Sequence, residues 1–199
     1  TLFRSIMYEV LEENEKKLFE TLYPDYKEIV EDEHMRFIIE VKSGQVDAKS
    51  RGEALPMGAK EIAVVDPEGN TVPFRDLISL YAGNVVYVDF WASWCAPCIQ
   101  EMPSSLILQD RYKGRPVKFL YLSQDEEADR WRKAIARNSI TGDHVLMNRQ
   151  MFINLSGKYN ISAIPRYMII DKQGNVVKSD ATSPSNAKTS KTIDKLLAK

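Results

Sequence analysis

The chain has 199 residues, of which 44% are hydrophobic and 28% are charged, and its formal net charge is −1. This composition is typical of a folded protein with a sizeable core, and the balanced charge gives no reason to expect nucleic acid or an anionic membrane as a partner. No apolar run approaches the roughly 20 residues that a membrane-spanning helix needs. Because the sequence starts at Thr1 rather than Met, it is compatible with earlier removal of a signal peptide or a lipid anchor.

Residues 1–48 have the pattern of two helices. Apolar residues recur near helical spacing, Pro24 interrupts the pattern, and a second apolar stripe follows it. A helical hairpin needs a further apolar surface to cover it, so we expect either the rest of the chain or a second subunit, in a dimer through residues 1–48, to do so. His34 lies on the apolar stripe and is interpreted as a core histidine rather than a ligand.

The next segment predicts a joint and then a short β-hairpin. Residues 49–59 are polar and contain Gly and Pro, which divides the chain into a helical appendage, residues 1–50, and a second domain, residues 51–199. Ile62–Val65, a turn containing Pro and Gly, and Thr71–Val72 predict the hairpin.

The most informative stretch is an apolar run followed by two cysteines. Val85–Val88 has the pattern of a strand buried on both faces, and Cys95-Ala-Pro-Cys98 is followed by good helix formers. A strand-to-helix junction would place Cys95 at a helix N-terminus, where unpaired N–H groups and the helix dipole favour a thiolate. Pro97 fits the first helical turn, and Cys98 would lie one turn along, close enough to form a short disulfide.

These are the only two cysteines in the chain, which bears on the alternatives to redox chemistry. A zinc site would need about two more Cys or His ligands, and the two histidines, His34 and His144, each stand alone. A structural disulfide generally closes a longer loop, since its stabilisation grows with loop length. The strand-then-helix context therefore favours a redox-active pair.

Downstream of the cysteines, strand and helix patterns alternate. Together with a helical turn at 74–81, they predict an α/β protein with helices around one sheet. Pro103 is expected to kink or restart the helix that follows the cysteines. The further predicted elements are strands at 116–122 and 145–147, helices at 125–138 and 152–159, a β-hairpin over 167–177, and a last helix with Ile193, Leu196 and Leu197 on its apolar face.

The residues around the cysteines resemble the active site of the thioredoxin superfamily. The likeness rests on Val88–Cys98 (VDFWASWCAPC) and on Ile164-Pro165, and it covers about residues 55–199. Within the superfamily, Trp94–Pro103 is most similar to the TlpA/ResA branch of bacterial extracytoplasmic thiol–disulfide oxidoreductases. The resemblance implies a thioredoxin-like fold, a central mixed sheet flanked by helices, here with the N-terminal β-hairpin and the extra helical hairpin.

The resemblance also implies catalytic roles. Cys95 would attack a disulfide in a protein substrate, and Cys98 would then resolve the mixed disulfide. Asp89 would accept the proton from Cys98, and its burial in a strand would raise its pKa. A carboxylate capped by backbone or water is the alternative interpretation of Asp89.

The same resemblance implies a substrate-binding rim. Trp94, Ala96 and Pro97 would lie at its surface, beside Cys95. If the bond between Ile164 and Pro165 is cis, the backbone of Ile164 would face Cys95 and could pair with an extended substrate. No cofactor or metal is implied, because no Gly-rich phosphate loop or ligand set is visible.

The implied activity is that of an oxidoreductase located in the periplasm, or anchored to the membrane and facing the periplasm, with a membrane-linked thiol donor that re-reduces the pair. Uncharged Ala96 and Pro97 favour a reductase over a disulfide oxidant. A thiol peroxidase would need Thr where Ala92 stands. A non-catalytic binding module that uses residues 1–48 is the remaining alternative.

Overall fold

The computed structural model describes residues 55–64 and 70–198. The predicted helices of residues 1–48, most of the predicted joint and the turn of the predicted N-terminal β-hairpin lie outside these ranges. The division into residues 1–50 and 51–199, and the dimer through residues 1–48, therefore stay predictions.

Within the described residues, one mixed sheet of six strands forms the centre of the fold. The strands are β1 Ala59–Glu61, β2 Val85–Trp91, β3 Val117–Ser123, β4 Gly142–Leu146, β5 Arg166–Ile170 and β6 Val176–Ala181. Their order is β1-β4-β3-β2-β5-β6. The first four in this order run parallel, whereas β5 is antiparallel to both β2 and β6.

Helices cover both faces of this sheet. They are α1 Phe74–Ser79, α2 Ala96–Arg111, α3 Ala128–Arg137, α4 Arg149–Tyr159 and α5 Ala187–Leu197. On one face, Ser105 and Gln109 of α2 hydrogen-bond the hydroxyl of Tyr121 in β3, and the hydroxyl of Tyr112, at the end of α2, donates to Ser190 of α5. Apolar residues of α1 and α4 join the main core cluster with residues of β2, β3 and β5. No helix in the described ranges has the length and apolar character required to cross a bilayer.

Strand β2 lies in the middle of this architecture, and all seven of its residues are buried. It has hydrogen-bonded neighbours on both sides, β3 and β5. A strand in this position needs apolar side chains on both of its faces, which explains the continuous run that starts at Val85. The predicted α/β fold with a central mixed sheet is confirmed.

Several helices and strands begin or end at other residues than predicted, because helix capping or strand pairing determines these boundaries. Helix α4 begins at Arg149 because the side chain of Asn148 accepts the N–H of Met151 at 2.9 Å. Strand β4 begins at Gly142, three residues earlier than the pattern indicated. Helix α2 continues through Pro103 and ends at Arg111, so the expected restart of this helix was wrong.

The predicted N-terminal hairpin is described only in part, so it stays a prediction. A strand that the pattern did not predict, β1 Ala59–Glu61, precedes it and pairs in parallel with β4. The N–H of Val72 donates to the carbonyl of Val64 at 2.8 Å, which joins the two predicted arms.

His144 is a core residue of this fold. Its side chain is fully buried, Nε2 lies 3.0 Å from the carbonyl oxygen of Ile140, and its ring stacks on Tyr121. Burial lowers the pKa of the imidazole to about 4. His144 is therefore neutral at physiological pH and serves as a packing residue.

Candidate active site

The two cysteines lie at the start of α2. Cys95 is the N-cap residue with extended backbone, and its sulfur accepts the N–H of Cys98 at 3.3 Å. Pro97 occupies the first turn, where its missing N–H costs no helical hydrogen bond. The two residues are joined by a disulfide. An N–H that points at the Cys95 sulfur, together with the helix dipole, would stabilise a thiolate once the disulfide is reduced.

Exposure differs sharply around this turn. Trp91, at the end of β2, is fully buried, and Cys98 is 1% exposed. Trp94, in contrast, is 66% exposed, and Ala96 and Pro97 are exposed as well. Trp94 is thus exposed, as the resemblance implied, and Ala96 and Pro97 lie with it at the surface beside the cysteines.

A carboxylate on the neighbouring strand end holds the loop that leads to Cys95. Asp125 follows β3, is 6% exposed, and accepts the N–H of Ser93 at 2.8 Å and its hydroxyl at 2.6 Å. The hydroxyl of Ser123 donates to the same carboxylate at 2.7 Å. Because β2 and β3 are adjacent and parallel, their C-terminal ends meet at this point. Asp125 thereby fixes the backbone two residues before Cys95.

Asp89 is the fifth residue of β2 and is 1% exposed. Neither of its carboxyl oxygens has a hydrogen-bond partner among the described residues. Burial raises the pKa of this carboxyl well above its usual range, and the nearby Glu101 carboxylate raises it further. No group of the described residues caps this carboxyl, so a backbone cap is not observed there, and the role of Asp89 stays a prediction.

Three tyrosines share the face of the sheet on which Asp89 lies. Tyr121 and Tyr167 are its register partners on β3 and β5, and Tyr87 precedes it by two residues on β2. Burial raises the pKa of each phenol above its usual value, so all three are neutral near pH 7. Helix α2 covers this face, since its Ser105 lies 2.7 Å from the Tyr121 hydroxyl.

Glu101 lies one turn after Cys98 on α2. Its carboxylate accepts the N–H of Ser185 at 3.2 Å and the Ser185 hydroxyl at 2.9 Å. Ser185 belongs to the loop between β6 and α5, and the same loop accepts the Tyr87 hydroxyl through the carbonyl of Thr182. Glu101 therefore tethers this loop to the active-site helix.

The second predicted segment of the site, Ile164-Pro165, lies immediately before β5. The peptide bond between the two residues is cis, and both side chains are partly buried. Ile164 packs against the core cluster. Its role in substrate binding stays a prediction.

The fold and the dithiol turn define a class of protein: a redox domain in which a buried strand leads into a helix that starts with Cys-Ala-Pro-Cys. Comparison with known proteins agrees with this description. A thioredoxin-like family model matches residues 83–176. The crystal structure of a candidate thiol-disulfide oxidoreductase from Bacteroides vulgatus is 32% identical, covers 66% of this chain and 89% of its own, and has a TM-score of 0.55.

Curated relatives include thiol-disulfide oxidoreductases ResA. The protein from Bacillus thuringiensis (strain Al Hakam) is 30% identical over 60% of this chain, and that from Geobacillus kaustophilus is 32% identical over 59%. The chain spans 65% and 64% of the length of these two relatives. The chain belongs to the thioredoxin-like family, and the resemblance to the ResA branch inferred from its motifs is confirmed.

The Asp125 anchor generates a prediction about stability. In Asp125→Ala, Ser93 and Ser123 lose the carboxylate that accepts their hydroxyls. We expect the free energy of unfolding of the oxidised protein to fall by roughly 2–4 kcal/mol, because several charge-assisted hydrogen bonds are lost and buried donors are left unsatisfied. Urea denaturation followed by circular dichroism measures this change.

Asp129→Ala is the matched control, since Asp129 is an exposed carboxylate four residues further on. Its effect should stay within about 0.5 kcal/mol, as for other surface substitutions. Equal effects of the two substitutions would show that Asp125 does not anchor the loop.

Proposed function

We propose that this protein is a thiol–disulfide oxidoreductase that reduces disulfides in partner proteins through Cys95 and Cys98. The observation that carries the proposal is the position of Cys95 as the N-cap of α2, with its sulfur accepting the N–H of Cys98 and with Cys98 close enough to form the disulfide. The names of its relatives, all thiol-disulfide oxidoreductases, support the same activity.

The reaction proceeds in two exchange steps. In the reduced protein the Cys95 thiolate attacks one sulfur of the partner's disulfide, which forms a mixed disulfide and releases the other partner sulfur as a thiolate. The Cys98 thiolate then attacks the Cys95 sulfur, closes the Cys95–Cys98 disulfide and releases the second partner thiolate. Two electrons pass to the partner, which gains two thiols after protonation, and a thiol donor must return two electrons to the protein.

Asp89 is the residue that we assign to the proton of Cys98. The assignment is supported by location, since Cys98 and Asp89 are both buried where α2 covers the sheet. It is also supported by charge, because a carboxyl whose pKa is raised well above its usual range is a stronger base than an ordinary carboxylate and accepts the proton of a thiol more readily. An ordinary surface carboxylate would be too weak a base for a thiol.

The substrate is expected to contact the exposed turn and the segment that precedes β5. Trp94, Ala96 and Pro97 offer an exposed, uncharged surface directly beside Cys95. We keep Ile164 and Pro165 as further contact residues on the strength of their resemblance to the corresponding family segment.

The location and the electron donor follow from the resemblance to the ResA branch. An extracytoplasmic protein, periplasmic or membrane-anchored, would meet the disulfide-containing proteins that a reductase needs as substrates. A thiol donor linked to the membrane would then supply its electrons. Both statements are part of the proposal.

The activity and the order of attack can be tested together. We expect the wild type to accelerate the reduction of insulin by dithiothreitol and Cys95→Ser to abolish the acceleration. Cys98→Ser should accumulate a mixed disulfide with insulin, visible on a non-reducing gel, because it retains the attacking sulfur and lacks the resolving one.

In the reduced wild type, Cys95 should also be alkylated faster than Cys98, since Cys95 lies at the N-terminus of α2 and is 5% exposed, compared with 1% for Cys98. Equal alkylation rates, or a mixed disulfide trapped by Cys95→Ser instead, would reverse the assigned roles. Absence of any acceleration by the wild type would favour the binding-module alternative.

The reduction potential tests the direction of the reaction. Ala96 and Pro97 carry no charge, so the turn adds no strong stabilisation of the thiolate beyond the helix terminus. We therefore expect a potential between about −200 and −270 mV, measured by equilibrating the protein with dithiothreitol buffers of known ratio. A potential near about −120 mV would make the protein a disulfide oxidant.

Asp89→Asn separates catalysis from stability. The first attack by Cys95 should be retained, while resolution of the mixed disulfide slows by roughly 10- to 1,000-fold near neutral pH, the range that a general base supplies. Single-turnover kinetics with quenched samples would show the mixed disulfide accumulating. Asp110→Asn, the same substitution at an exposed position of α2, is the control and should leave both steps intact.

The stability of Asp89→Asn should hold or rise at neutral pH. Because burial raises the pKa of Asp89 in the folded state, the folded protein retains a proton that the unfolded chain releases above a pH of about 3.8. The wild type therefore loses stability as the pH rises through the pKa of Asp89 in the folded state. The stability difference in favour of the variant should therefore grow from pH 4 upwards. A variant that unfolds readily and resolves normally would make Asp89 a structural residue.

A further inference from the structure

A groove opens beside Cys95, between the start of α2 and the outer face of α3. It has a volume of about 650 Å³ and begins at Trp94 and Ala96, the two chain neighbours of Cys95. Ile99 and Ala134 add apolar surface on its two sides. When Cys95 attacks a disulfide in a partner polypeptide, the partner residues next to that disulfide would lie at the mouth of this groove.

The charged residues that line the groove are all cationic. Arg130, Lys133 and Arg137 lie on one face of α3, at helical spacing, and no carboxylate is present in the lining. The whole chain has a net charge of −1, so this is a local concentration of positive charge rather than a property of the entire surface. Three like charges around one groove repel each other unless an anion is present between them.

The carboxylates at the start of α3 neutralise only part of this face, because one of them pairs with Arg130 and none pairs with Lys133 or Arg137 among the described residues. Glu127 pairs with Arg130 at 3.0 Å, in an exposed ion pair of the kind that contributes little to stability. Asp129 approaches Arg132, outside the groove, at 4.0 Å. Among the described residues, neither Lys133 nor Arg137 has an ion-pair partner, and both side chains are exposed.

We propose that this groove binds an acidic polypeptide segment next to the disulfide of the partner protein. The apolar surface contributed by Trp94 would hold the segment near the reacting sulfurs, and the cations of α3 would select carboxylate side chains on it. The inference rests on the proposed reductase function and adds to it a preference for a class of substrate. Because most of this attraction acts over several ångströms in water, it should affect the rate of encounter and should weaken with salt.

Three synthetic peptides test the proposal. Each carries the same intrachain disulfide, followed by a run of glutamates, lysines or serines. The second-order rate constant for oxidation of the reduced wild-type protein is measured with each peptide, and the rates are normalised to the serine peptide. We expect the glutamate peptide to react about 10-fold faster than the lysine peptide at low salt, and the ratio to approach one at high salt.

The double variant Lys133→Glu/Arg137→Glu should invert this ratio. Lys113→Glu/Lys118→Glu is the matched control, because it changes the net charge equally at exposed positions after the C-terminus of α2 and at the start of β3, away from the cysteines. The control should keep the wild-type ratio. A substitution that changes the stability of the thiolate, or that partly unfolds the protein, would change the rates with all three peptides by the same factor. Such a factor cancels in the ratio of two rates.

The outcomes separate the two proposals. A wild type that reduces all three peptides at one rate, or a groove variant that keeps the wild-type ratio, overturns the acidic-segment proposal and leaves the reductase function standing. A wild type that reduces none of the peptides overturns the reductase function. Binding of the wild type to phosphatidylserine vesicles that is lost in the groove variant, with unchanged peptide ratios, would assign these cations to a membrane surface instead.

Discussion

The complete burial of β2 is the constraint on which the rest of the structure depends. Every residue of this strand is buried, because β3 and β5 flank it and helices cover both faces of the sheet. A strand held in this way has little freedom in where its C-terminal end points. The chain leaves it at Trp91 and enters α2 at Ala96. The location of Cys95 is therefore set by the most completely buried strand of the sheet, and the Ser93–Asp125 contact fixes the intervening loop.

The same burial explains how a carboxyl in this strand acquires chemistry. Asp89 has neutral tyrosines as its register partners, and among the described residues the charged group that raises its pKa is Glu101, which has the same sign. Burial and Glu101 both disfavour ionisation of Asp89. A surface carboxyl, or a buried one with a cationic partner, would release its proton at a lower pH than Asp89 does. Burying the acid without a partner lowers stability but gives a group suited to proton transfer, which is the usual trade-off at active sites.

The sequence predicted those strands and helices whose pattern of apolar residues results directly from their burial. β2 and β3 are apolar runs because both of their faces are covered, and α2 follows from the residues after Cys98. β1 was not predicted, because its three residues are partly or fully exposed, so that its pairing with β4, and not its own composition, makes it a strand. Exposure was predictable for Trp94, since it adjoins the reactive turn.

The loop anchor and the groove could not be predicted, because both depend on residues that are distant in sequence. Ser93 and Asp125 are 32 residues apart and meet only because β2 and β3 are neighbours. Glu101 and Ser185 are 84 residues apart and meet only once α5 has packed beside α2. From sequence alone, Lys133 and Arg137 belong to an ordinary charged helix. Their significance comes from the position of α3 across the groove from Trp94.

This arrangement separates the chemistry of the site from the choice of partner. The Cys95 thiolate depends on the N-terminus of α2, and in the proposed mechanism the proton of Cys98 passes to Asp89 of β2; both elements belong to the centre of the fold. The cations belong to α3, whose outer face makes few demands on packing, since Trp131 and Ile135 on its inner face supply the buried contacts. Charges on that outer face can change without disturbing the core or the cysteines. The proposed reductase could therefore acquire a different class of partner through surface substitutions on α3 alone, while Cys95, Cys98 and Asp89 stay unchanged.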